Sequence, residues 1–468
     1  SAGAAFVLTD KAYIFVDGRY AIQIQDQAAK DLLTIETFEP PGPWAFIEGL
    51  DLSGQTIGYD PKLMTPTAAD GLKAALKDAG ATPKAVSKNP IDKAWKGRPR
   101  QPMAKAYPLD TAFTGQVSAE KREQIAAHLK KKGLDAAVIT APHSVAWLFN
   151  IRGGDVKCSP LPMSRAILHS SGEADLFIAP KKVDDELRAH LGNQVAVHDI
   201  ADLSKGLANL KGKKVQADPA TASEWFFTTL TRNKADVVPA MDVCALPKAL
   251  KNETELKGAQ AAHDRDGVAI ARFLHWIETK AKPGKTTEID AVKTLEKIRE
   301  ESGELKDISF ETISGFGANG AMAHYRVNKE SSATFEEGHL FLVDSGGQYF
   351  DGTTDITRTV AIGEPTAEMK RHYTLVLKGH IAMTVVRFPE GTTGTHLDVL
   401  ARHALWQAGM DYGHGTGHGV GSFLGVHEGP QRIAKGWNSV PLAAGMIVSN
   451  EPGYYIAGKY GIRIENLQ

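Results

Sequence analysis

The sequence predicts a mixed α/β protein of more than one domain. Its 468 residues exceed the usual size of a single domain, and a hydrophobic content of 42% is enough for substantial cores. Short apolar runs of strand length alternate with helical patterns in the first half of the chain, and two glycine-containing hairpins follow near its C-terminal end. These observations indicate α/β units followed by a hairpin-rich unit.

The first unit is predicted over residues 1–108. Strand patterns at Phe6–Leu8 and Tyr13–Val16 are followed by a helical pattern that begins near Tyr20. The polar, proline-containing segment Trp95–Pro102 is typical of a linker. We therefore place the end of this unit just beyond that segment.

The second unit is predicted over residues 115–246 and opens with a helix. Ser118 is the expected N-cap, and Gly133 ends the helix after three lysines that suit its C-terminal dipole. Because strands, turns and helices follow in the same order as in the first unit, we expect a duplicated α/β domain. Its strand patterns lie at Ala136–Ile139, Ala166–Leu168 and Leu176–Ile178.

A polar loop, Asn150–Asp155, lies inside the second unit. Its composition is typical of an ordinary turn, which is the favoured interpretation. The alternative is that Arg152 reaches the rim of an active site.

The third unit, predicted over residues 250–468, begins near Asn252 with a long helical pattern. Further along, the apolar run Leu340–Val343 and the β-branched segment Ile356–Ile362 predict the two strands of a hairpin. Asp344 and Asp355 lie eleven positions apart, an odd separation that lets them stand directly opposite each other. Two carboxylates are therefore expected on one face.

A second hairpin is predicted close to the end of the chain. Met446–Glu451 and Ile462–Glu465 read as its strands, with a turn at Ala457–Gly461. The separation of Glu451 and Glu465 is even, so an asymmetric turn or a bulge at Pro452 and Gly453 is needed to bring both carboxylates to one face.

Between the hairpins lies a glycine-rich stretch from His414 to Glu428, in which His414, His418 and His427 are spaced among the glycines. Glycine lets the backbone approach a ligand or metal closely. A phosphate-binding loop is disfavoured, because neither the phosphate-loop spacing nor the dinucleotide spacing is present. Three histidines in such a loop are not explained by core packing.

Four carboxylates facing one space would repel each other and keep their protons unless positive charge lay among them. Taken singly, each acid could be an ordinary solvated strand residue. Together they predict a site for two divalent cations, since Asp344 follows an apolar run and an unpaired charge there would be costly. One imidazole among four carboxylates favours Mn²⁺, with Zn²⁺ and Co²⁺ as alternatives.

These residues resemble the motifs of Xaa-Pro aminopeptidases, within the methionine aminopeptidase and prolidase superfamily (metallopeptidase family M24). The resemblance implies a pita-bread catalytic domain preceded by two creatinase-like α/β domains. It also implies a dinuclear centre in which Asp355 and Glu465 bridge the ions, Asp344 binds one ion, and His418 and Glu451 bind the other. The matching motifs, in the family's order, are Ala323–Tyr325, Val343–Gly346, Thr354–Arg358, His414–His418, Val426–Glu428, Asn450–Gly453 and Gly461–Asn466.

The expected chemistry is hydrolysis of the bond between an N-terminal residue and proline by a water that the two ions hold as hydroxide. Glu451 is the candidate for passing the proton of this water to the leaving nitrogen. His324 and His427 are expected beside the scissile carbonyl, although a structural role remains their alternative. His414, His427 and Arg463 match the family's pocket for proline, and that assignment depends on the resemblance alone.

Composition excludes several other classes of function. A net charge of -1 gives no reason to expect binding to nucleic acid or an acidic membrane, and no apolar run is long enough to span a bilayer. The two cysteines, Cys158 and Cys244, have no metal-ligand spacing and are expected as thiols of a cytoplasmic protein. The resemblance further implies a homodimer, and a chain that lacks the start of its first domain and the end of its last.

Two alternatives to the aminopeptidase remain open, a prolidase and a binding module, and a creatinase-type hydrolase is disfavoured. A prolidase would cleave only dipeptides, but such relatives usually carry one domain before the catalytic unit. A binding module without activity and a creatinase-type hydrolase would both have lost the metal ligands, and here all five candidate ligand positions are filled by the expected residue types.

Overall fold

The structure, a computed structural model, describes residues 3–38 and 42–468. Contacts divide these residues into two compact units. These two units of the structure differ in extent from the three units predicted from the sequence. The first unit of the structure contains the described residues up to position 38 together with Ala249–Gln468, and the second unit contains the described residues from 42 to Lys248. The predicted domain boundaries and the predicted duplication stay predictions. Within the described ranges, no helix has the length and apolar character required to cross a membrane.

The first unit begins with a three-stranded sheet. Strand β1 pairs antiparallel with β2, and β2 pairs parallel with β3. The two predicted strands are therefore confirmed, but the helix expected from Tyr20 starts only at Ile24, because the amide of Tyr20 closes a turn on the carbonyl of Asp17 at 3.0 Å. The elements are β1 (Gly3–Val7), β2 (Ala12–Val16), α1 (Ile24–Gln27) and β3 (Thr34–Thr37).

The second unit is built on a six-stranded mixed sheet in the order β11-β10-β9-β7-β12-β13, which contains all three predicted strands. Its helices and strands are α2 (Trp44–Glu48), β4 (Thr56–Tyr59), α3 (Pro66–Asp78), β5 (Thr82–Ala85), α4 (Pro90–Ala94), β6 (Tyr107–Pro108), α5 (Thr111–Thr114), α6 (Ser118–Lys131), β7 (Ala136–Ile139), α7 (Pro142–Phe149), β8 (Ile151–Arg152), β9 (Ser164–His169), β10 (Ala174–Ile178), α8 (Asp185–Leu191), β11 (Val195–His198), α9 (Leu203–Ala208), β12 (Lys214–Ala217), α10 (Glu224–Arg232) and β13 (Asp236–Pro239); helix α11 (Ala245–Ala249) follows.

Two expectations for the second unit need correction. Ser118 is the first residue of α6 rather than its N-cap, which is Val117, and the Ser118 hydroxyl has no partner among the described residues. Gly133 ends the helix in a left-handed conformation (φ 65°), as predicted. Arg152 is not part of a simple turn: it lies in β8, is buried, and donates to the carbonyls of Ala146 and Ile151.

The rest of the first unit carries the candidate site. A long helix, α12, opens it and is capped by Asn252, whose side chain accepts from the amide of Glu255 while the Glu255 carboxylate accepts from the Asn252 amide. The elements are α12 (Glu253–Thr279), α13 (Glu288–Glu300), β14 (Asp307–Ile308), β15 (Ile313–Phe316), β16 (His339–Ser345), β17 (Gly347–Tyr349), β18 (Gly352–Thr353), β19 (Ile356–Ile362), α14 (Ala367–Val385), α15 (Gly394–Trp406), β20 (Gly417–Gly419), β21 (Glu428–Ile433), β22 (Ser449–Asn450), β23 (Gly453–Ile456), β24 (Tyr460–Arg463) and β25 (Asn466–Leu467).

Strand β16 is buried on both faces, which explains why its sequence is a continuous apolar run rather than an alternating one. On one face Phe341 packs with Phe273 of α12 and Leu295 of α13. On the other, Leu340 packs with Val376 of α14 and Ile462 of β24. Asp344 is at the far end of this strand and lies on the same face as Leu340.

A buried ion pair joins α12 to α13 behind the candidate site. The guanidinium of Arg299 donates to both carboxylate oxygens of Asp266 at 2.7 and 2.9 Å, and both side chains are at most 3% exposed. The hydroxyls of Tyr349 and Thr354 also donate to Asp266, each at 3.0 Å. The pair therefore fixes the residue that immediately precedes Asp355.

We expect Asp266→Asn to lower the free energy of unfolding by about 3–5 kcal/mol, because it leaves the Arg299 charge buried without a counter-ion. The matched control is Asp264→Asn on the same helix, where the carboxylate is exposed and the change is expected to stay within about 0.5 kcal/mol. Urea unfolding followed by tryptophan fluorescence measures both, and equal effects would contradict the role given to the ion pair.

Candidate metal centre

The first hairpin forms from β16 and β19, but its register differs from the prediction. Asp344 lies opposite Thr357 and Ser345 opposite Ile356, so Asp355 falls just before β19, diagonal to Asp344. The expected direct pairing of Asp344 with Asp355 is therefore wrong. Since Asp355 and Thr357 are two positions apart, both aspartates still face the same side.

In the second hairpin the pairs Asn450↔Asn466 and Gly453↔Arg463 fit a single register. In that register Glu451 lies directly opposite Glu465. Ile456 pairs with Tyr460, so the turn contains three residues and the separation of paired residues is even. Gly458 in this turn has a φ of 74°. The asymmetric turn, rather than a bulge at Pro452, brings both glutamates to one face.

At Glu451 and Glu465 the backbone amides of the two strands do not donate to each other's strand. They donate to carbonyls of other segments. The amide of Glu451 donates to the carbonyl of Thr416 at 2.8 Å, and the amide of Glu465 donates to the carbonyl of Thr357 at 3.2 Å. Thr416 lies two residues before His418, and Thr357 two residues after Asp355. The backbone thus connects the second hairpin to both other segments that carry candidate ligands.

These connections bring the side chains together. His418 Nε2 lies 3.3 Å from Glu451 Oε1 and 3.5 Å from Asp355 Oδ2. Three groups of potential donors have their atoms within 4.8 Å of one another: Asp344, Asp355 and Glu465; His418, Glu451 and Glu465; and Asp355, His418 and His427. All five predicted ligand positions meet in one space, with Asp355, His418 and Glu465 each in two of the groups.

The chemistry of this donor set fits divalent cations. Asp344 Oδ1 and Asp355 Oδ1 are buried and accept no hydrogen bond within the described part of the chain. Burial, followed by the neighbouring carboxylates, raises the pKa of Asp355 and Glu465 well above the usual range, and burial raises the pKa of Glu451 to about 8. Positive charge between the carboxylates would satisfy the free oxygens and oppose these shifts, because it favours the ionised form of each carboxyl.

Neighbouring groups hold the side chains of the candidate ligands in place. The Thr357 hydroxyl donates to Glu465 Oε2 at 2.6 Å, and the Ser449 hydroxyl donates to Glu451 Oε1 at 3.0 Å. Ser449 Oγ also accepts from the backbone amide of His418 at 3.0 Å, so one hydroxyl connects the main chain of His418 to the carboxylate of Glu451. Such outer contacts orient the ligands for a metal.

Arg463 connects the carboxylates to the predicted substrate residues. It is 2% exposed and donates to Asp344 Oδ2 and to the hydroxyl of Tyr455, both at 2.6 Å. The same hydroxyl lies 2.8 Å from His414 Nε2. His414 and Arg463 are therefore joined through Tyr455.

The predicted histidines surround the centre. His427 retains an exposed edge, and its ring packs edge-on against that of His418 at 4.2 Å. Burial, and next the charge of Arg463, lower the pKa of His324 and His414 to about 3, and burial lowers the pKa of His418 to about 4. These imidazoles are neutral at pH 7, the form that binds metals or shares a single N–H with a substrate.

Sequence reasoning did not identify Tyr455, Ser449, Arg19 or Tyr20 as part of the site. Tyr455 and Ser449 stand beside motif residues but form no recognisable spacing of their own. Arg19, whose guanidinium forms a fork with Asp17 at 2.7 and 2.9 Å, and Tyr20 belong to a turn some 300 positions away from His324 in sequence. No local pattern could have linked that turn to the centre.

Two family models match the chain. Residues 257–468 match the model described as metallopeptidase family M24, and residues 97–255 match that of the creatinase/prolidase N-terminal domain. The first match contains every candidate metal ligand.

Curated relatives match over the whole chain. A protein of Sordaria macrospora with the name "Probable Xaa-Pro aminopeptidase P" is 39% identical, and the alignment covers 100% of this chain and 79% of that protein. A protein of Neurospora crassa with the same name is also 39% identical, with 100% of this chain and 71% of that protein covered.

Solved structures agree with these relatives. One is the X-prolyl aminopeptidase of Caenorhabditis elegans, described as a cytosolic enzyme with a di-nuclear active site. It is 34% identical to this chain with a TM-score of 0.93, and the match covers 99% of this chain and 77% of that protein. The Xaa-Pro dipeptidase of Bacillus anthracis is 26% identical with a TM-score of 0.61, covering 75% of this chain and 94% of its own. Agreement with the first structure extends over nearly the whole chain and includes the residues before the catalytic unit.

The metal-free protein is expected to lose stability as pH rises. A carboxyl whose pKa is raised in the folded state contributes its full stability below its unfolded pKa and loses it as pH climbs through the folded value. For Glu451 that window runs from 4.5 to about 8. Differential scanning fluorimetry of the chelator-treated protein should show a Tm that falls between pH 5 and pH 8, and Mn²⁺ should raise the Tm more at pH 8 than at pH 5.

Glu451→Gln is the control for this measurement, since an amide cannot ionise. We expect a shallower fall in Tm with pH for the metal-free variant. A metal-free protein whose Tm rises over this window, or a variant with an unchanged slope, would contradict the assignment.

Gly417→Ala is expected to weaken metal binding by about tenfold or more, the effect typical of losing a group that orients ligands. A Cβ at this position would lie 1.9 Å from the carbonyl oxygen of Ser449, so the His418 strand must move away from the Glu451 strand. The matched control is Gly436→Ala, whose Cβ would meet nothing closer than 3.5 Å. Calorimetric titration of both variants with Mn²⁺ measures the difference, and equal affinities would show that this close approach is not required.

Proposed function

Because this chain belongs to metallopeptidase family M24 and is 39% identical over its full length to curated Xaa-Pro aminopeptidases P, we propose that it removes the N-terminal residue from peptides with proline in second position. The observation that carries the proposal is the convergence of Asp344, Asp355, His418, Glu451 and Glu465 in one buried space. A non-enzymatic relative would have no reason to retain four mutually repelling carboxylates there.

The proposed cofactor is a pair of divalent cations. Asp355, His418 and Glu465 each belong to two donor groups. Following the family resemblance, Asp355 and Glu465 would hold both ions, Asp344 would hold one of them, and His418 and Glu451 would hold the other. The oxygen-rich donor set favours Mn²⁺ over Zn²⁺ or Co²⁺. When bound, such a pair lowers the pKa of water and polarises a peptide carbonyl.

Glu451 is the proposed proton carrier. The contacts from Ser449 and His418 both fall on Oε1, which leaves Oε2 to take a proton from the attacking water and deliver it to the leaving proline nitrogen. Protonation of this nitrogen is required, because the departing group would otherwise leave as an amide anion.

The neutral histidines supply hydrogen bonds rather than charge. His324 and His427 are proposed to donate to the carbonyl oxygens of the substrate beside the scissile bond. His414 is held from behind by Tyr455, so its ring can form a wall of the proline pocket. Arg463 is already engaged by Asp344 and Tyr455, so its proposed contribution is to hold these two groups at the pocket.

A prolidase is the second candidate, since the dipeptidase of Bacillus anthracis shares part of the fold. Full-length similarity to aminopeptidases disfavours it. A homodimer is also proposed, because apolar side chains are exposed on α14 and α15, among them Val385 and Trp406. A cytoplasmic location is proposed because the similar enzyme of Caenorhabditis elegans is described as cytosolic.

The proposal predicts that the Mn²⁺-loaded protein releases the first residue of an Xaa-Pro-Yaa tripeptide. Asp355→Ala should lower kcat/KM at least about 100-fold, since even groups that only orient metal ligands are worth about 10–100-fold. Asp307→Ala, which removes an exposed carboxylate of the same unit, should leave the rate unchanged. Chromatographic detection of the released amino acid measures all three.

A parallel assay with an Xaa-Pro dipeptide separates the two candidates. Cleavage of the dipeptide alone would establish a prolidase. If neither peptide is cleaved while calorimetry shows that metal is bound, the chain acts as a binding protein.

A further inference from the structure

Tyr20, near the start of the chain, contacts His324 in the catalytic unit. Its hydroxyl oxygen lies 3.1 Å from His324 Nδ1, and the two rings meet edge to face, with centroids 5.3 Å apart and planes at 90°. Both residues belong to the same compact unit. The contact is therefore an internal feature of the unit that holds the candidate metal centre.

The turn that presents Tyr20 is itself firmly placed. It follows β2, and Asp17 accepts both the amide of Arg19 at 3.0 Å and the guanidinium fork. Gly18 packs on the backbone immediately before His414: a Cβ on Gly18 would lie 2.9 Å from the carbonyl oxygen of Gly413. These contacts fix the turn, and the turn fixes the position of Tyr20 beside His324.

The backbone next to His324 is bonded to a residue of the candidate metal centre. Arg463, which pairs with Asp344, also donates to the carbonyl of Ala323 at 3.3 Å. Burial, followed by the charges of Arg463 and Arg19, lowers the pKa of His324 to about 3. The ring is therefore neutral and carries a single proton, on either Nδ1 or Nε2.

The proposed substrate decides which nitrogen carries it. The bond to proline has no N–H, and the groups proposed above to meet His324 are the carbonyl oxygens beside the scissile bond, which only accept hydrogen bonds. A useful His324 must then donate, and with Nδ1 facing Tyr20 the donor is Nε2. An unprotonated Nδ1 is a hydrogen-bond acceptor and needs a donor. The Tyr20 hydroxyl lies close enough to donate its proton in a hydrogen bond to Nδ1.

We propose that Tyr20 is a positioning residue: its hydroxyl donates to Nδ1 of His324, fixing the Nε2–H tautomer and the direction in which that N–H meets a substrate carbonyl. This proposal deepens the proposed aminopeptidase function and depends on it. It gives the turn after β2 a specific part in the reaction, beyond packing.

The alternative is that Tyr20 only packs the turn against the catalytic unit, and a double-mutant cycle distinguishes the two. Tyr20→Phe retains the ring and removes the hydroxyl, so kcat/KM for an Xaa-Pro-Yaa peptide should fall about 3- to 10-fold, the usual worth of one hydrogen bond. In a His324→Ala background the same change should cost less than about twofold, because the partner is already absent.

Tyr460→Phe is the matched control. The Tyr460 hydroxyl makes the same kind of contact, 2.9 Å from His372 Nδ1, in the same unit and outside the proposed site. It should leave kcat/KM unchanged. An equal loss for Tyr20→Phe in both backgrounds, or no loss in either, would overturn the positioning role.

A spectroscopic measurement tests the contact without relying on turnover. In ¹⁵N-histidine spectra of the Mg²⁺-loaded or Zn²⁺-loaded full chain, the His324 signals are those missing from His324→Ala, and they should show protonated Nε2 and unprotonated Nδ1. Tyr20→Phe should shift these signals, whereas a protonated Nδ1 in the parent protein would overturn the proposed direction. If the tautomer is as expected but no peptide is cleaved, the proposed function fails while the contact stands.

Discussion

The structure depends on keeping four carboxylates together in a buried space. Their mutual repulsion and desolvation would open the site if each were attached to an independent segment. Instead, the backbone amides of Glu451 and Glu465 leave their own hairpin to bond to Thr416 and Thr357, which lie beside His418 and Asp355. The scaffold that resists the repulsion is therefore made of main-chain hydrogen bonds, which do not depend on what occupies the centre.

Local sequence pattern predicted much of this arrangement and failed where distant segments meet. The apolar run before Asp344 and the β-branched run after Asp355 are strong strand signals, and both strands are present. Their register is not a local property, because it is fixed by packing against α12, α13 and β24, and the expected pairing of the two aspartates was two positions out.

The same limit explains the missing contacts. Ligand types could be identified because carboxylates and imidazoles are rare in apolar or glycine-rich surroundings. The groups that orient them, such as Thr357 and Ser449, are common residues in unremarkable positions, and they become significant only after the strands have paired. Tyr20 is the extreme case, since 304 positions separate it from His324.

The discontinuity of the first unit has a consequence for biosynthesis. The described residues up to position 38 belong to one unit with Ala249–Gln468, whereas the second unit lies between these two parts in the sequence. On the ribosome the inserted stretch can reach its native state early, because domains fold largely as they emerge. The opening strands must wait for β22 to β25 before the pocket around His324 and Glu465 closes. A growing chain of this protein therefore lacks the full set of candidate metal ligands until Glu465 has left the ribosome.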